Sequence, residues 1–566
     1  MPLKPIYEKA PLTRPASLPL RAGQAKMERE DGKRLYDLAC QAKDAPALWE
    51  GAYRLACAVT DKPAREPCAA WIASALSAQR EDGALDLAWA DAVAVMRAAY
   101  AMYEQDAERG LLERMLRWCA CLAARWDEAM AQSGIPAHPA DLMGLLLDIY
   151  RVSGKAAILK LCERLSRQGL DWCGVLKTFS VERPMRRITP WEDMEAGLTA
   201  EGGDQAGFYT RQYLTCHAES LADGMRYAAE IAALTGGGRA LEAGKTGWEK
   251  LTRWHGAVCG GVTGDETLAG TSPASAVDAA SLGAWAEALG AQGAMMRDAW
   301  AFDALEILAE NGLPAALCGD KLIPFERVNG LSANCAVRDC YHVHDGGEQA
   351  PRALQRLTRG YAALSQSAVT TRETGADVNL YLPGSYALRL GGSPALLSIA
   401  GKDGEYVVRV GLRGEETATL ALRIPSWTED AFIRVNDEGG LEGHAGQWLE
   451  ISRAWRRGDR ITVSFARRAQ VKEGHHQGAA VMYGATLMAY PASREDWAVA
   501  LCGEPQVREG RVYAALRRVP AWRMSGPVPA DIPVLPRGEG EPFEAELRPY
   551  AETPCRIALF PREGKA

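Results

Sequence analysis

The chain has 566 residues, of which 48% are hydrophobic and 24% are charged, and its formal net charge at pH 7 is −7. This length exceeds what a single hydrophobic core supports, so two or three domains are expected. The small negative charge argues against a general nucleic-acid or anionic-membrane binder, which would normally carry a basic surplus.

The N-terminal stretch and the cysteines favour a cytoplasmic location. Residues 1–23 carry charges and prolines where a signal peptide needs an apolar run. No window approaches the roughly 18–20 uncharged apolar residues of a membrane span. The fourteen cysteines have no framework spacing, which is typical of thiols that stay reduced in the cytosol. We therefore predict a cytoplasmic protein with no nucleic-acid and no membrane partner.

The first two thirds of the chain have a helical pattern. After an irregular or strand-like leader (1–30), apolar residues recur at the spacing of amphipathic helices. The predicted helices cover residues 31–43, 46–60, 64–80, 86–103, 107–131, 138–152, 155–169, 217–236, 239–254, 275–290, 294–312 and 347–366. Helices in consecutive hairpins predict two concentric rings, an (α/α)6 barrel with a pocket at one end. A helical solenoid is the competing interpretation, but no fixed repeat period supports it.

The pattern changes near residue 376, where short alternating runs bounded by Gly, Asp and Asn are typical of a β-sandwich. A second group of such runs begins after residue 470. The predicted fold class is therefore multidomain, α then β. The predicted domains are an (α/α)6 barrel with its leader (1–375), a β-sandwich (376–470) and a second C-terminal β-sandwich (471–566). A homodimer formed through the sandwich is one assembly that this architecture allows.

The strand-rich region resembles a known family. The motifs that carry the resemblance are LRIPSW (422–427), IRVND (433–437), WLEISRAWRRGD (448–459), VMYGATLMAY (481–490) and LRPYAETPCRIALFP (547–561). Together they are similar to the β-L-arabinofuranosidase-like enzymes of glycoside hydrolase family 127. The helical half resembles the family more loosely, in segments 71–83, 138–154, 213–236, 303–317 and 377–386. Agreement is weak in residues 1–65 and 155–212.

The resemblance implies a catalytic chemistry. Such enzymes cleave a furanosidic bond with retention, using a cysteine thiolate as nucleophile and a Glu as general acid/base. A zinc ion held by Glu and Cys ligands lowers the pKa of the thiol. Glu266, in GGVTGDE (260–266), is the candidate acid/base, although Asp265 and Glu266 could instead cap the next helix or lie in water. Cys340 is the candidate nucleophile.

The metal site is where this chain departs from the family pattern. The expected Glu-Thr-Cys segment aligns with Asp278-Ala279-Ala280, so the acid is shorter and the thiol is missing. Cys335 and Cys340 stand five apart in place of an adjacent pair. These two cysteines and His344 are the candidate metal ligands, so zinc is a cofactor for which the family ligand set is incomplete. Without a metal, the Cys340 thiol would have a pKa of about 8.5 and be mostly protonated at neutral pH.

The remaining candidates are groups that would contact sugar. His138 and His217 match histidines that contact sugar in the family, and His342 is a third candidate for substrate binding. A His at a helix start is otherwise a cap or a surface group. Glu219 is a weaker candidate, for which a solvated helix face is the preferred interpretation.

Three functions follow from these residues. The leading prediction is a glycoside hydrolase that acts on small glycosides or oligosaccharides, such as those with terminal L-arabinofuranose or a related sugar. If Asp278 and Glu266 form the operative pair, an inverting mechanism becomes available, for which carboxyl groups lie about 6.5–9.5 Å apart. The alternative is a catalytically degenerate homologue that binds carbohydrate without cleaving it. A structural protein that assembles through its sandwiches is the third.

Overall fold

A computed structural model defines the structure of most of the chain. The described residues are 12–13, 15–42, 45–60, 65–132, 134–183, 213–265, 267–271, 275–318, 321–329, 346–436, 438–473, 478–492, 499–519 and 540–561. Within these ranges no helix combines the length and the apolarity that crossing a membrane requires.

Helices dominate the structure up to residue 368. They are α1 Glu30–Gln41, α2 Pro46–Val59, α3 Glu66–Ser77, α4 Trp89–Asp106, α5 Arg109–Ala124, α6 Trp126–Gln132, α7 Ala140–Ser153, α8 Ala156–Gln168, α9 Trp172–Lys177, α10 Ala218–Thr235, α11 Gly238–His255, α12 Ala279–Met296, α13 Ala299–Ile307, α14 Leu313–Ala315 and α15 Gly346–Ala368. A π-helical turn, Leu308–Gly312, joins α13 to α14.

The long helices form two rings. Among the described residues, six of them close an inner ring in the order α2, α4, α7, α10, α12 and α15, with α15 packed against α2. The helices α1, α3, α5, α8, α11 and α13 pack outside this ring. Because the chain alternates between the two rings, the inner helices run in the same direction. The predicted (α/α)6 barrel is confirmed, and the solenoid interpretation is wrong.

Close packing between α12 and α15 depends on two glycines. A Cβ atom at Gly283 would lie 2.1 Å from the carbonyl oxygen of Arg356, and one at Gly360 would lie 2.7 Å from the Cα of Gly283. The two helices therefore meet backbone to backbone, which no larger residue allows. This contact fixes the register of α15, and with it the height at which the side chains of Arg356 and Arg359 enter the barrel.

The barrel interior contains charged side chains from every helix of the inner ring. Arg359 on α15 donates to Glu287 on α12 at 2.8 Å, and Arg97 on α4 donates to Glu50 on α2 at 2.6 Å. The pKa of the Glu50 carboxyl is about 2, because the arginines around it outweigh the effect of its burial. Buried charges are tolerated when they are paired in this way.

Two sheets follow the barrel and pack on a shared apolar core. The five-stranded sheet has the order Leu18–Pro19, Val369–Arg372, Gly375–Val378, Glu415–Arg423 and Trp448–Arg456. The seven-stranded sheet has the order Glu438–Gly443, Ala431–Val435, Arg460–Phe465, Glu405–Leu412, Ser393–Lys402, Gly384–Leu390 and Ala25–Met27. The β-sandwich thus includes two strands of the leader, which the sequence analysis groups with the barrel.

The last described strands form one connected sheet of nine strands. Its main path is Ala469–Glu473, Gly478–Tyr483, Thr486–Pro491, Phe543–Pro549, Arg511–Arg518 and Val499–Leu501, and the strands Gln506–Arg508, Arg556–Ile557 and Leu559–Pro561 pair beside it. The sequence analysis predicts a second sandwich for this region, and the described strands have an apolar cluster of their own. Among the described residues, the helical part also contains three short strand pairs: Gly264–Asp265 with Thr267–Leu268, Ala276–Asp278 with Phe325–Arg327, and Leu317–Cys318 with Lys321–Leu322.

Candidate functional site

Three of the sequence-predicted site residues lie at one end of the barrel. His217 and Asp278 are the N-caps of α10 and α12, and His138 directly precedes Pro139, the N-cap of α7. These helices are consecutive in the inner ring. Since the inner helices run in the same direction, all three residues belong to the N-terminal mouth of the barrel. This mouth is our candidate functional site.

His217 is buried and electrically neutral. Its Nδ1 atom accepts the backbone N–H of Ser220 at 3.3 Å and lies 3.0 Å from the Ser220 hydroxyl, so the ring caps α10. Burial, together with the nearby Arg352, lowers the pKa of the imidazole to about 3. The ring of Tyr213 stacks on it, with centroids 5.3 Å apart. With Nδ1 acting as acceptor, the ring carries its proton on Nε2, which can donate to a hydroxyl.

Asp278 is a buried carboxyl group that titrates near neutrality. Its Oδ1 atom accepts the backbone N–H of Ala280 at 2.9 Å, and Ser281 donates to its backbone carbonyl at 2.7 Å. Burial raises the pKa of Asp278 to about 7, and the negative charge of Glu219 contributes to the rise. Arg352 and the backbone donors oppose this shift. Asp278 can therefore both hold and release a proton at neutral pH.

Glu219 lies inside the barrel mouth, contrary to the sequence-based interpretation of a solvated helix face. Its Oε1 accepts from Nε of Arg356 at 2.6 Å, and its Oε2 lies 2.6 Å from Nε of Arg352. Burial alone would raise its pKa, but Arg356 and Arg352 outweigh that effect and set the pKa at about 2. Arg356 also donates to both carboxylate oxygens of Asp223. Glu219 is thus a permanently ionised neighbour of Asp278.

His138 is half-buried at the rim of this cluster. Burial lowers the pKa of its imidazole below the ordinary value of 6.5, and the charges of Asp223 and Arg356 act on it in opposite directions. It also acts electrostatically on His217. The two histidines are therefore neighbours, and both favour the neutral form.

The other predicted site residues lie outside the described part of the chain. They are Glu266, Cys335, Cys340, His342 and His344. The neighbours of Glu266 are described: the backbone of Asp265 pairs with that of Thr267, and Thr267 pairs with His217. The strand pair that contains Asp265 and Thr267 is thereby attached to the N-terminal mouth.

The described residues do not fit a zinc site. Within them, no group of three or more His, Cys, Asp or Glu side chains is arranged to hold a metal ion. Asp278 uses one carboxylate oxygen to cap α12, and Ala280 stands where the family pattern has a thiol. The remaining proposed ligands fall outside the described ranges.

The cluster contains two carboxyl groups whose pKa values are pushed apart. Glu219 stays ionised, whereas Asp278 takes up a proton near neutrality, and such a separation is typical of sites that carry out acid–base chemistry. The half-exposed guanidinium of Arg352 and the two neutral imidazoles add hydrogen-bond donors. This combination is suited to binding hydroxyl groups and to moving a proton at a bound ligand.

Sequence reasoning did not identify the arginines of this site. Arg352, Arg356 and Arg359 recur every three to four residues on α15, and Glu219, Asp223 and Arg226 do the same on α10. A charged stripe on a helix of the inner ring must face the barrel axis, because the other faces contact neighbouring helices. This spacing is the signal that could have revealed them, once the helices were assigned to the inner ring.

Comparisons with known proteins agree with this architecture. The profile of the family described as "Beta-L-arabinofuranosidase, GH127 middle domain" matches residues 376–467. No curated protein sequence matches the chain. A solved structure titled "Glycoside hydrolase" is similar over 99% of this chain and 100% of its own, with a TM-score of 0.74 and 13% sequence identity.

Two further solved structures are similar at the level of the fold. The GH127 β-L-arabinofuranosidase from Geobacillus stearothermophilus T6 has a TM-score of 0.68 and 16% identity, over 95% of this chain and 92% of its own. A GH127 β-arabinofuranosidase has a TM-score of 0.66 and 15% identity, over 97% of this chain and 98% of its own. The predicted resemblance to glycoside hydrolase family 127 is thus confirmed, by the middle-domain profile for residues 376–467 and by the fold for the rest of the chain.

Proposed function

We propose that this protein is a glycoside hydrolase that acts on small glycosides or oligosaccharides, such as those with terminal L-arabinofuranose or a related sugar. One observation carries the proposal: His138, His217 and Asp278, chosen from the sequence, lie together at the N-terminal mouth of the barrel. The buried Glu219 and the guanidinium of Arg352 complete a polar, charge-paired cluster there. Such a cluster supports recognition of a polyhydroxylated substrate.

We assign the proton transfers to two carboxyl groups. Glu266 is the proposed general acid/base, and the described neighbours Asp265 and Thr267 support this role because they are joined to His217 at the mouth. Asp278 is the proposed second carboxyl group. With a pKa of about 7, it can take a proton from an attacking water at neutral pH and later release it. This pairing corresponds to the inverting alternative.

The two histidines would bind sugar hydroxyls rather than supply charge. The pKa of His217 is about 3, so its ring is neutral over the working pH range, with Nε2–H available as a donor. His138 behaves similarly, because burial lowers its pKa. Neutral donors orient a hydroxyl without leaving an unpaired buried charge when the product departs.

The thiol mechanism remains a distinct alternative within this proposal. In it, Cys340 attacks the sugar as a nucleophile while Glu266 protonates the departing oxygen, and His342 binds substrate. A cytoplasmic location, which we also propose, would keep this thiol reduced. The proposed cytoplasmic location is supported by the twelve cysteines of the described ranges, none of which forms a disulfide bond.

The test is hydrolysis of a panel of aryl furanosides and pyranosides. The wild type would be compared with Glu266→Gln, Asp278→Asn and Cys340→Ala, each with and without a chelator. We expect Glu266→Gln and Asp278→Asn to lose at least about 100-fold in kcat, the usual range for removing an acid or base. Cys340→Ala and chelator should leave the rate within a few-fold of wild type.

Two outcomes would change the assignment. Loss of activity in Cys340→Ala and in chelator would replace the carboxylate pair by the thiol mechanism. Full activity in Glu266→Gln would show that Glu266 is not the general acid/base.

A sugar-binding homologue without turnover is the second candidate. It is favoured by one specific observation, namely that Ala280 occupies the position at which the family pattern has a thiol. Calorimetric binding of a sugar to the wild type, with no hydrolysis of any substrate in the panel, would identify it. If Asp278→Asn binds the sugar with the affinity of the wild type, Asp278 does not contribute to sugar binding, and other groups at the mouth hold the sugar.

A further inference from the structure

The barrel contains a cavity at the C-terminal end of its inner helices, and the proposed function does not use it. This cavity of about 1010 Å³ is lined by residues from the middle and C-terminal halves of the inner helices, such as Tyr100, Asp148 and Ala363. Residues 18–21 and 371–373 close it from the side of the sandwich. Its size is that of a small-molecule site, for which about 300–1,000 Å³ is usual.

Buried ion pairs separate this cavity from the N-terminal mouth. Nearest the mouth, Arg356 binds Glu219 and Asp223. Below it, Arg359 spans the barrel to Asp141, with contacts of 2.7 and 3.0 Å. A ligand in the cavity would therefore contact neither His217 nor Asp278.

The walls of the cavity are charged and held in place. Nε and Nη2 of Arg97 donate to the two carboxylate oxygens of Glu50 at 2.6 and 3.0 Å. Arg54 donates to the same carboxylate at 3.1 Å and also binds Glu104. Each guanidinium has five N–H donors and each carboxylate about four acceptor sites. These pairs thus retain unused donors and acceptors in a fixed geometry.

Several buried atoms of wall residues have no hydrogen-bond partner within the described part of the chain. They include Nε of Arg226, a donor, and Oε2 of Glu287, an acceptor. Both side chains are about nine-tenths buried, with 7% and 10% of their surface exposed. An unmet buried donor or acceptor costs roughly 1–3 kcal/mol. A hydroxyl group suits walls that carry both donors and acceptors, because it accepts one hydrogen bond and donates another.

The charge of the walls selects the class of ligand. The inner arginines of the cavity are already neutralised by carboxylates, as Arg97 is by Glu50 and Arg359 by Asp141. At these inner arginines an anion would have to displace a carboxylate, and a cation would have to displace a guanidinium. A neutral molecule with many hydroxyls adds hydrogen bonds to both without burying an unpaired charge.

We propose that the cavity at the C-terminal end of the barrel is a second ligand site, which binds a neutral polyhydroxylated molecule of the size of a mono- or disaccharide. The helices provide space for it through small side chains at Gly290, Ala291 and Ala363. This site is separate from the proposed catalytic mouth, and its occupancy does not depend on hydrolysis.

The test is calorimetric titration with L-arabinose, D-galactose and sucrose as neutral probes, and with phosphate and citrate as anionic probes. Ala363→Leu and Ala291→Leu would each fill the cavity from a different helix. Ala157→Leu is the matched control, because residue 157 is exposed on α8. We expect at least one sugar to bind the wild type, the control and Asp278→Asn equally. Its affinity should fall at least about tenfold in either filled variant that retains the wild-type circular dichroism.

Three results would overturn the proposal. The first is that no sugar probe binds the wild type. The second is that phosphate or citrate binds more tightly than every sugar. The third is that sugar binding survives both cavity-filling variants but is lost in Asp278→Asn, which would place the bound sugar at the catalytic mouth. Failure of hydrolysis alone affects only the proposed function, since this test measures binding.

Discussion

Asp141 and Arg359 join opposite sides of the barrel. Arg359 on α15 donates from Nη2 to Oδ1 of Asp141 at 2.7 Å and from Nη1 to Oδ2 at 3.0 Å, while α7 and α15 stand three places apart in the inner ring. The pair is bidentate and buried on the arginine side. It therefore closes the barrel across its axis, where most domains would place apolar side chains.

Removing one member of this pair should destabilise the whole barrel. In Arg359→Leu, the carboxylates of Asp141 and Glu287 both lose the hydrogen bonds from Arg359 inside the protein, and Arg226 remains beside them. Breaking a buried pair in this way costs roughly 3–5 kcal/mol. Chemical denaturation of the wild type and the variant measures the difference in unfolding free energy.

The matched control is Arg109→Leu, which removes an exposed arginine paired with Glu113. Exposed pairs contribute about 0–1 kcal/mol, so this variant should unfold close to the wild type. If both variants lose the same unfolding free energy, the position of Arg359 on the barrel axis does not increase its contribution to stability.

The pH dependence of hydrolysis should report the ionisation of Asp278. With its pKa raised to about 7, the carboxyl group is protonated below neutrality and ionised above it. If it acts as a base, kcat should rise as pH increases through 7. Asp278→Asn should lower the rate and remove this inflection.

Glu219→Gln should move the same inflection in a defined direction. Burial and the charge of Glu219 both raise the pKa of Asp278, while Arg352 lowers it. The substitution removes the negative charge and frees Arg352 from Glu219, so the pKa of Asp278 must fall. We expect the inflection to shift to lower pH by roughly one unit. A shift to higher pH in a pH–rate profile would contradict this arrangement.

His217 should make the fold sensitive to acid. Its pKa is about 3 in the folded protein and about 6.5 in the unfolded chain. The unfolded state therefore binds more protons between these values, and stability falls as pH drops from about 6.5 towards 3. His217→Asn keeps an N-cap side chain but removes this proton uptake, so its melting temperature should depend less on pH in that window.

Comparison with His217→Ala separates the cap from the charge. Loss of the cap costs about 1 kcal/mol at neutral pH, whereas Asn should cost less. Identical pH dependence in the wild type and His217→Asn would show that other groups control the response to acid.

Gly283→Ala should destabilise the barrel by about 1–3 kcal/mol or more, because the new methyl group would overlap the backbone of Arg356. Gly110→Ala is the control, since residue 110 is exposed on α5 and the nearest atom to a new Cβ is 3.4 Å away. There the change should be neutral or stabilising by up to about 1 kcal/mol. Thermal unfolding of both variants measures the contrast. Equal melting temperatures of Gly283→Ala and Gly110→Ala would show that α12 and α15 can move apart to accept the methyl group without loss of stability.

The fold was largely predictable because helical periodicity is local. The prediction of 46–60 for one helix agrees with Pro46–Val59, where apolar residues mark the buried face. The prediction of 275–290 starts too early, because Ala276–Asp278 forms a strand with Phe325–Arg327. That pairing depends on a distant segment, which no local pattern records.

The candidate site was predictable only in part. His138, His217 and Asp278 were found through family motifs, and their common location follows from the parallel inner helices. Glu219 was misjudged because its neighbours along α10 say nothing of Arg356, which lies 137 residues away in the sequence. Whether a charged residue is buried depends on its partners, and these become visible only once the helices are arranged in space.

The leader strands have a consequence for how the molecule is made. Leu18–Pro19 and Ala25–Met27 are synthesised before the barrel, yet their sheet neighbours Val369–Arg372 and Gly384–Leu390 emerge only after it. Vectorial folding from the N-terminus is thus incomplete until the sandwich leaves the ribosome. Translation that stops near residue 368 would release a barrel with two unmatched strands, while a sandwich expressed alone would expose two bare edges to aggregation. The two domains are consequently a single unit of biosynthesis.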